Sequence, residues 1–334
     1  MALLFLDSFD HYATADLSDK YFSGGGSIVT AGRHGSGRGL TGGCRLALTP
    51  GSARLILGAA YKFTITFNTV YTVYDYTNTV CSVWTTNNGG WSVQTNGGPT
   101  ITSASDVWRT NQWHYIEVDL TITATGTPTY SLTSARVLVD GTVVLNSAVG
   151  ASIAGTGPAS TFFWSHVDIT PNAAGTMDDF YVLDGSGAAP HNAPLGDIQI
   201  DVIRPNGVGA STQWTPTGAA TNWGAVKDLV PDDETTKVIA ATAGLSDLYA
   251  MEDVNTNNGI IGAQLLINAR RTEEGFATLT PLLRHAGVTT ELVSQLISPT
   301  YFYRNRDCFV KMPNGDPLTD VNLNALQAGI KRSA

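Results

Sequence analysis

Apolar and polar positions alternate along most of the first 185 residues. LLFLDSF, AYKFTITFNTV, CSVWTTN, WSVQTN, WHYIEVDLTITAT, SARVLVDGTVVLN and MDDFYVLD each step in twos, the period of a strand with one buried face. Val, Ile, Thr, Tyr and Phe dominate these runs, as pleated surfaces favour. NNGG, NGGP, TGTP and PNAAGT punctuate them. Asp140-Gly141 reads as a two-residue hairpin turn, because both residues accept positive φ. Short strands this numerous, with no helical period, predict a mainly all-β chain whose residues 1–185 form an antiparallel jelly-roll sandwich.

The pattern breaks at GSGAAPHNAPLGD, where Gly, Ala and Pro crowd together without a large apolar side chain. Residues 186–196 are therefore expected to be a linker. A second, β-rich domain is expected over 197–334, with strands at GDIQIDVIRPNGVG, GAQLLINARRT and ATLTPLLRHAG. Its end predicts one short helix: Asp320 as N-cap, Val321, Leu323 and Leu326 as the apolar positions, Gly329 as the stop.

Composition narrows the reading. Only 14% of the 334 residues are charged, against ~25% in ordinary domains, and 35 are Gly. A surface of hydroxyls and amides suits a protein packed in an assembly or facing glycans. The net charge of −9 argues against nucleic acid as a partner, which needs basic stripes. The opening MALLFLDSFDHY has no basic residue before its apolar run, which ends at Asp7. That is far short of the ~20 residues of a spanning helix, so a first strand is expected, with no export signal and no membrane insertion. Cys44, Cys81 and Cys308 lack metal-ligand spacing and are expected as reduced core thiols.

DSFDHY, GRHGSGRGL, WHYIEVDL, VLVDGTVVLN and MDDFYVLD follow one another in the order found in laminin-G-like, concanavalin A-like jelly rolls. Joined to LGDIQIDVIRPNGVGASTQWTP and NWGAVKD, between Leu195 and Asp228, they resemble virion structural proteins of tailed bacteriophages across nearly the whole chain. The resemblance implies a protein on the surface of a phage particle, made in the host cytoplasm and released by lysis.

Candidate chemistry is sparse. Glu117 and Asp119 lie two apart on one predicted strand, as in the Glu-x-Asp-x-x-Glu strand of jelly-roll glycosidases. The third acid is missing, because Ile122 holds its place, so the pair is expected on an exposed polar face and no catalytic residue is assigned. Adjacent Asp178 and Asp179 should point to opposite faces of a strand, and no metal site is assigned. GRHGSGRGL lacks the ending of a phosphate loop, and the acidic loop PDDETTKV lacks the spacing of a calcium loop. No cofactor is expected. Of seven Trp, Trp91 has the most loop-like flanks; with Asn87 and Asn88 it forms the candidate glycan-binding group.

The sequence thus predicts a non-enzymatic structural protein of a tailed-phage virion, in the tail tip or fibre adsorption apparatus or as capsid decoration. Its expected partners are other virion proteins and further copies of itself, as a trimer. The alternative is a carbohydrate-binding module recognising host surface glycans, and a glycoside hydrolase is the third reading. The second domain is expected to serve assembly.

Overall fold

The computed structural model describes residues 3–35, 37–75, 78–96, 98–126, 129–147, 152–154, 164–170, 175–254, 256, 259–272, 274–300 and 302–334. The turns expected at TGTP and PNAAGT fall partly outside them, at 127–128 and 171–174. The chain divides into two units, Met1–Ile200 and Asp201–Ala334.

The first unit contains β1 (Leu3–Asp7), helix α1 (Leu17–Lys20), β2 (Ser23–Gly24), β3 (Ser27–Val29), β4 (Gly39–Thr41), β5 (Cys44–Ala47), β6 (Arg54–Phe63), β7 (Asn68–Asp75) and β8 (Asn78–Thr85). It continues with β9 (Trp91–Thr95), β10 (Thr100–Thr102), β11 (Trp113–Gly126), β12 (Thr129–Val139), β13 (Thr142–Ser147), β14 (Ser152–Ala154), β15 (His166–Ile169) and β16 (Gly175–Leu183). One sheet runs β13-β12-β11-β6-β16-β4-β3, with β1 on β16 and β14 on β12; the second runs β10-β9-β8-β7-β15-β5-β2. The pairings are antiparallel, so this unit is the jelly-roll sandwich that the alternation predicts. Two details differ. AYKFTITFNTV does not stay one strand; β6 ends at Phe63 and β7 begins at Asn68. Asp140 (φ 50°) and Gly141 (φ 77°) do make the hairpin turn.

Aromatic rings from the two sheets meet in the core. Tyr61 packs edge-on to Tyr71 (5.9 Å) and Phe63 edge-on to Trp91 (6.3 Å), while Tyr71 stacks with Phe180 (6.5 Å). Cys44 and Cys81 lie in this core as free thiols, pushed up to about 12 by burial; Cys308 is buried too, and its Sγ accepts from Gln264 Nε2 (3.5 Å).

DSFDHY carries a buried polar cluster. Asp7 Oδ2 accepts from the hydroxyls of Tyr12 (2.7 Å) and Tyr21 (2.6 Å) and pairs with Lys20 Nζ (2.9 Å). Burial raises the Asp7 carboxyl, but the Lys20 charge and both hydroxyls outweigh it and hold the group below its ordinary value. Desolvation and the Lys20 charge push His11 down to about 3, leaving it neutral to accept from Lys20 Nζ (3.1 Å).

The second unit holds β17 (Pro205–Thr212), β18 (Thr215–Thr217), β19 (Lys237–Ile239), β20 (Ser246–Met251), β21 (Ala263–Ala269), β22 (Thr278–His285), β23 (Val288–Glu291), β24 (Gln295–Leu296), β25 (Phe302–Phe309), helix α2 (Asp320–Asn324) and β26 (Gln327–Arg332). Its main sheet runs β17-β20-β26-β22-β23, with β24 on β22, beside the pairs β18-β19 and β21-β25. Leu283, Met312, Leu318, Leu323, Leu326 and Ala328 form a small core. The helix is present, but its cap is Thr319, whose side chain accepts from Asn322 N (3.2 Å), rather than Asp320. Gly329 is not its stop. It sits within β26, where an added Cβ would lie 2.0 Å from the Asp247 carbonyl oxygen. Asp247 is the hub of the QWTP and NWGAVKD segment: its carboxylate accepts from Gln213 N (2.6 Å), Trp214 N (2.8 Å), Asn222 Nδ2 (2.5 Å) and the Tyr249 hydroxyl (3.0 Å).

Candidate functional site

The strand WHYIEVDL does not present an exposed polar face. Glu117 is 1% exposed and Asp119 4%. Register explains the enclosure of Glu117. Glu117 faces Gly58 on β6, and Gly58 faces Tyr181 on β16. Because Gly58 has no side chain, the Tyr181 ring lies across it; an added Cβ would stand 2.1 Å from Tyr181 Cε1. The Tyr181 hydroxyl thereby reaches Glu117 Oε1 and donates to it at 2.5 Å. Asp119 is gripped by Arg54 through Nε (2.8 Å) and Nη2 (2.7 Å), and also meets Arg136 Nη1 (3.3 Å). Such two-pronged pairs fix geometry as well as charge. Ile122 is fully buried, so no acid completes the glycosidase pattern.

These groups hold the stretch that follows β16. Gly196 N donates to Glu117 Oε1 (2.8 Å), Leu195 N to the Tyr181 hydroxyl (3.0 Å), and Arg54 Nη1 to the Asn192 carbonyl (2.7 Å). Residues 186–196, expected as a linker, therefore include a segment bonded to the first unit. The attachment continues beyond them, where Ile200 N donates to Asp179 Oδ1 (2.8 Å) and Arg33 pairs with Asp197 (2.6 Å).

Asp178 and Asp179 do not act on opposite faces. The β16–β6 register shifts between Asp178 and Tyr181, and Asp179 has φ 51°; this bulge brings both carboxyls to GRHGSGRG. Arg33 N donates to Asp178 Oδ2 (2.7 Å), and His34 Nε2 lies 2.9 Å from Asp179 Oδ2. Burial, then the Asp179 charge, push Asp178 up to about 7. Among the described residues no group of three or more His, Cys, Asp or Glu side chains is arranged to hold a metal ion.

The candidate glycan group is divided. Trp91 is fully buried, so it is not an exposed platform. It pairs with Thr85, and Val83 and Val93 pair beside it with their side chains buried. That register sends its ring into the core, whatever the character of the flanking loops. Asn87 and Asn88 are exposed and line a cleft of about 290 Å³ with Thr66, Asp106, Trp108 and Arg109. Its wall is tied together by Asp106 N donating to the Asn88 carbonyl (2.9 Å) and Val107 N to that of Gly89 (2.9 Å). Asp106 holds φ 60°, a strained conformation for a residue other than glycine.

Trp84 points away from this core and, like Trp113, Trp214 and Trp223, is not fully buried. It alternates with the buried Val83 and Thr85 and is itself half-buried. The alternation of CSVWT carries this signal, since buried Cys81 and Val83 leave Ser82 and Trp84 on the other face.

No family model and no curated protein matches the chain. Partly similar solved structures include Trypanosoma rangeli sialidase (TM-score 0.31, 14% identity, 48% of this chain and 27% of that one). Others are the native heptameric SAP-like pentraxin from Limulus polyphemus (0.29, 11%, 42% and 69%) and the galectin LEC-6 from Caenorhabditis elegans (0.27, 10%, 41% and 88%). The chain spans about a quarter of the length of the sialidase it resembles.

Proposed function

We propose that this chain is a non-enzymatic structural protein on the surface of a tailed-phage virion, in the tail tip or fibre adsorption apparatus or as capsid decoration. One observation carries the proposal: the segments that resemble virion proteins are the ones whose buried acids hold the fold together. Asp7 gathers Tyr12, Lys20 and Tyr21. Asp178 and Asp179 hold Arg33 and His34. Asp247 gathers Gln213, Trp214 and Asn222. Acids enclosed and saturated in this way serve cohesion rather than proton transfer, which needs a group within reach of substrate. Glu117 and Asp119 support the same reading.

In this role the protein docks onto other virion proteins and onto copies of itself, as a trimer, at the virion surface. Adding purified protein to particles that lack it tests the role. Stoichiometric binding and an oligomer in solution are expected; a monomer that does not bind such particles contradicts it.

A second reading, a carbohydrate-binding module for host surface glycans, is favoured by the cleft at Asn87 and Asn88, whose amides stand exposed at the end of a sheet. A glycan array probed with the intact protein tests it, and absence of binding removes it.

A further inference from the structure

The outer face of the seven-stranded sheet has a regular chemistry. One row across the strands reads Thr69, Trp84, Ser92 and Thr102. The next reads Arg45, Asp168, Thr72, Ser82, Gln94 and Thr100. Tyr74 and His166 pair in a third. The Ser92 and Thr102 hydroxyls meet at 2.8 Å, which places both on one face. The charged pair on this face, Arg45 and Asp168, neutralises itself through two contacts of 2.5 and 2.7 Å, with the guanidinium stacked 4.3 Å over the Tyr74 ring. Desolvation and the Arg45 charge hold His166 below its ordinary value, so it is neutral at pH 7. The face therefore carries no net charge among its described residues. Ser92 itself is buried; the face offers the hydroxyls of Thr69, Thr72, Ser82, Thr100 and Thr102, the Gln94 amide, the half-buried Trp84 ring and the side of the Tyr74 ring that Arg45 leaves open, with Trp84 and Tyr74 roughly 15 Å apart along the strand direction.

An uncharged polyol chain is the ligand that matches this face. Pyranose rings present an apolar side to an aromatic ring and hydroxyls to Thr, Ser and Gln. An acidic glycan would find no unpaired cation there among the described residues. We propose that this face, centred on Trp84, is a binding platform for an uncharged glycan chain. The proposal rests on the carbohydrate-binding reading and places the ligand on the sheet instead of in the Asn87–Asn88 cleft.

Affinity electrophoresis of the full chain through gels containing dextran, mannan, a neutral β-glucan or acidic alginate, beside a glycan array, tests it. Retardation by a neutral polysaccharide is expected, weakened about tenfold by Trp84→Ala and restored by Trp84→Phe, with far-UV circular dichroism unchanged. Binding that survives Trp84→Ala but is lost in Asn87→Ala/Asn88→Ala would overturn the platform and keep the glycan reading. Binding to alginate alone would overturn the platform's neutrality. No binding by wild type in any format would overturn both. Loss of the oligomer in Trp84→Ala, with glycan binding unaltered, would make the face a subunit contact.

Discussion

The Tyr181 hydroxyl donates to Glu117 Oε1 at 2.5 Å, with Gly58 on the strand between them. This bond converts a strand that resembles a glycosidase's into an anchor. Its acceptor also receives Gly196 N, and its donor oxygen receives Leu195 N. Tyr181→Phe is predicted to leave Leu195 N unpaired and to destabilise the first unit by about 1–3 kcal/mol. Hydrogen exchange checks this: Leu195 and Gly196 amides should exchange faster in the variant, while β6 stays protected.

Gly58 has a more severe role. A Cβ there would stand 2.1 Å from the Tyr181 ring, which is fully buried and held by its hydroxyl bond to Glu117. Gly58→Ala is predicted to cost about 1–3 kcal/mol or more, read as a lower urea midpoint with an unchanged slope.

Lys20 and Asp7 form an ion pair with neither side chain exposed. Removing one partner strands the other charge. Lys20→Met should therefore cost about 3–5 kcal/mol. The double variant Asp7→Asn/Lys20→Met should recover part of that loss, and denaturant titration of the set measures the coupling.

Asp178 gives the fold a pH dependence of known sign. The folded chain holds its proton up to about 7, whereas the ordinary value is 3.8. The folded state thus binds the proton more tightly, and this residue's contribution to stability falls as pH rises between those two values. Asp178→Asn is predicted to flatten that part of the stability profile. Urea unfolding at closely spaced pH values checks it; an unchanged slope would show that Asp178 titrates normally.

Much of the sandwich was legible because a half-buried strand writes its register into the sequence. WHYIEVDL and VLVDGTVVLN form strands where their alternation put them, but WHYIEVDL buries both of its faces, Glu117 and Asp119 included. The same rule, applied to CSVWT, points Trp84 outward and would have kept Trp91 inside; judging Trp91 by its flanking loops hid this. The anchoring of 192–200 left no hydropathic trace, because it is made by polar contacts: backbone N–H groups on Glu117, Asp179 and the Tyr181 hydroxyl, Arg54 on the Asn192 carbonyl, and the Arg33–Asp197 pair. The bulge at Asp179 was equally silent, since neither residue type nor spacing announces a register shift. At the helix, Thr319 and Asp320 are both good caps, and only backbone geometry distinguishes them.

The most direct test of the central claim is immunogold electron microscopy of purified phage particles with antibodies against this chain. Labelling at discrete virion sites is predicted, on the tail tip or fibres for an adsorption role or evenly over the head for decoration. Particles that carry no label, from a lysate in which the chain is abundant, would contradict it.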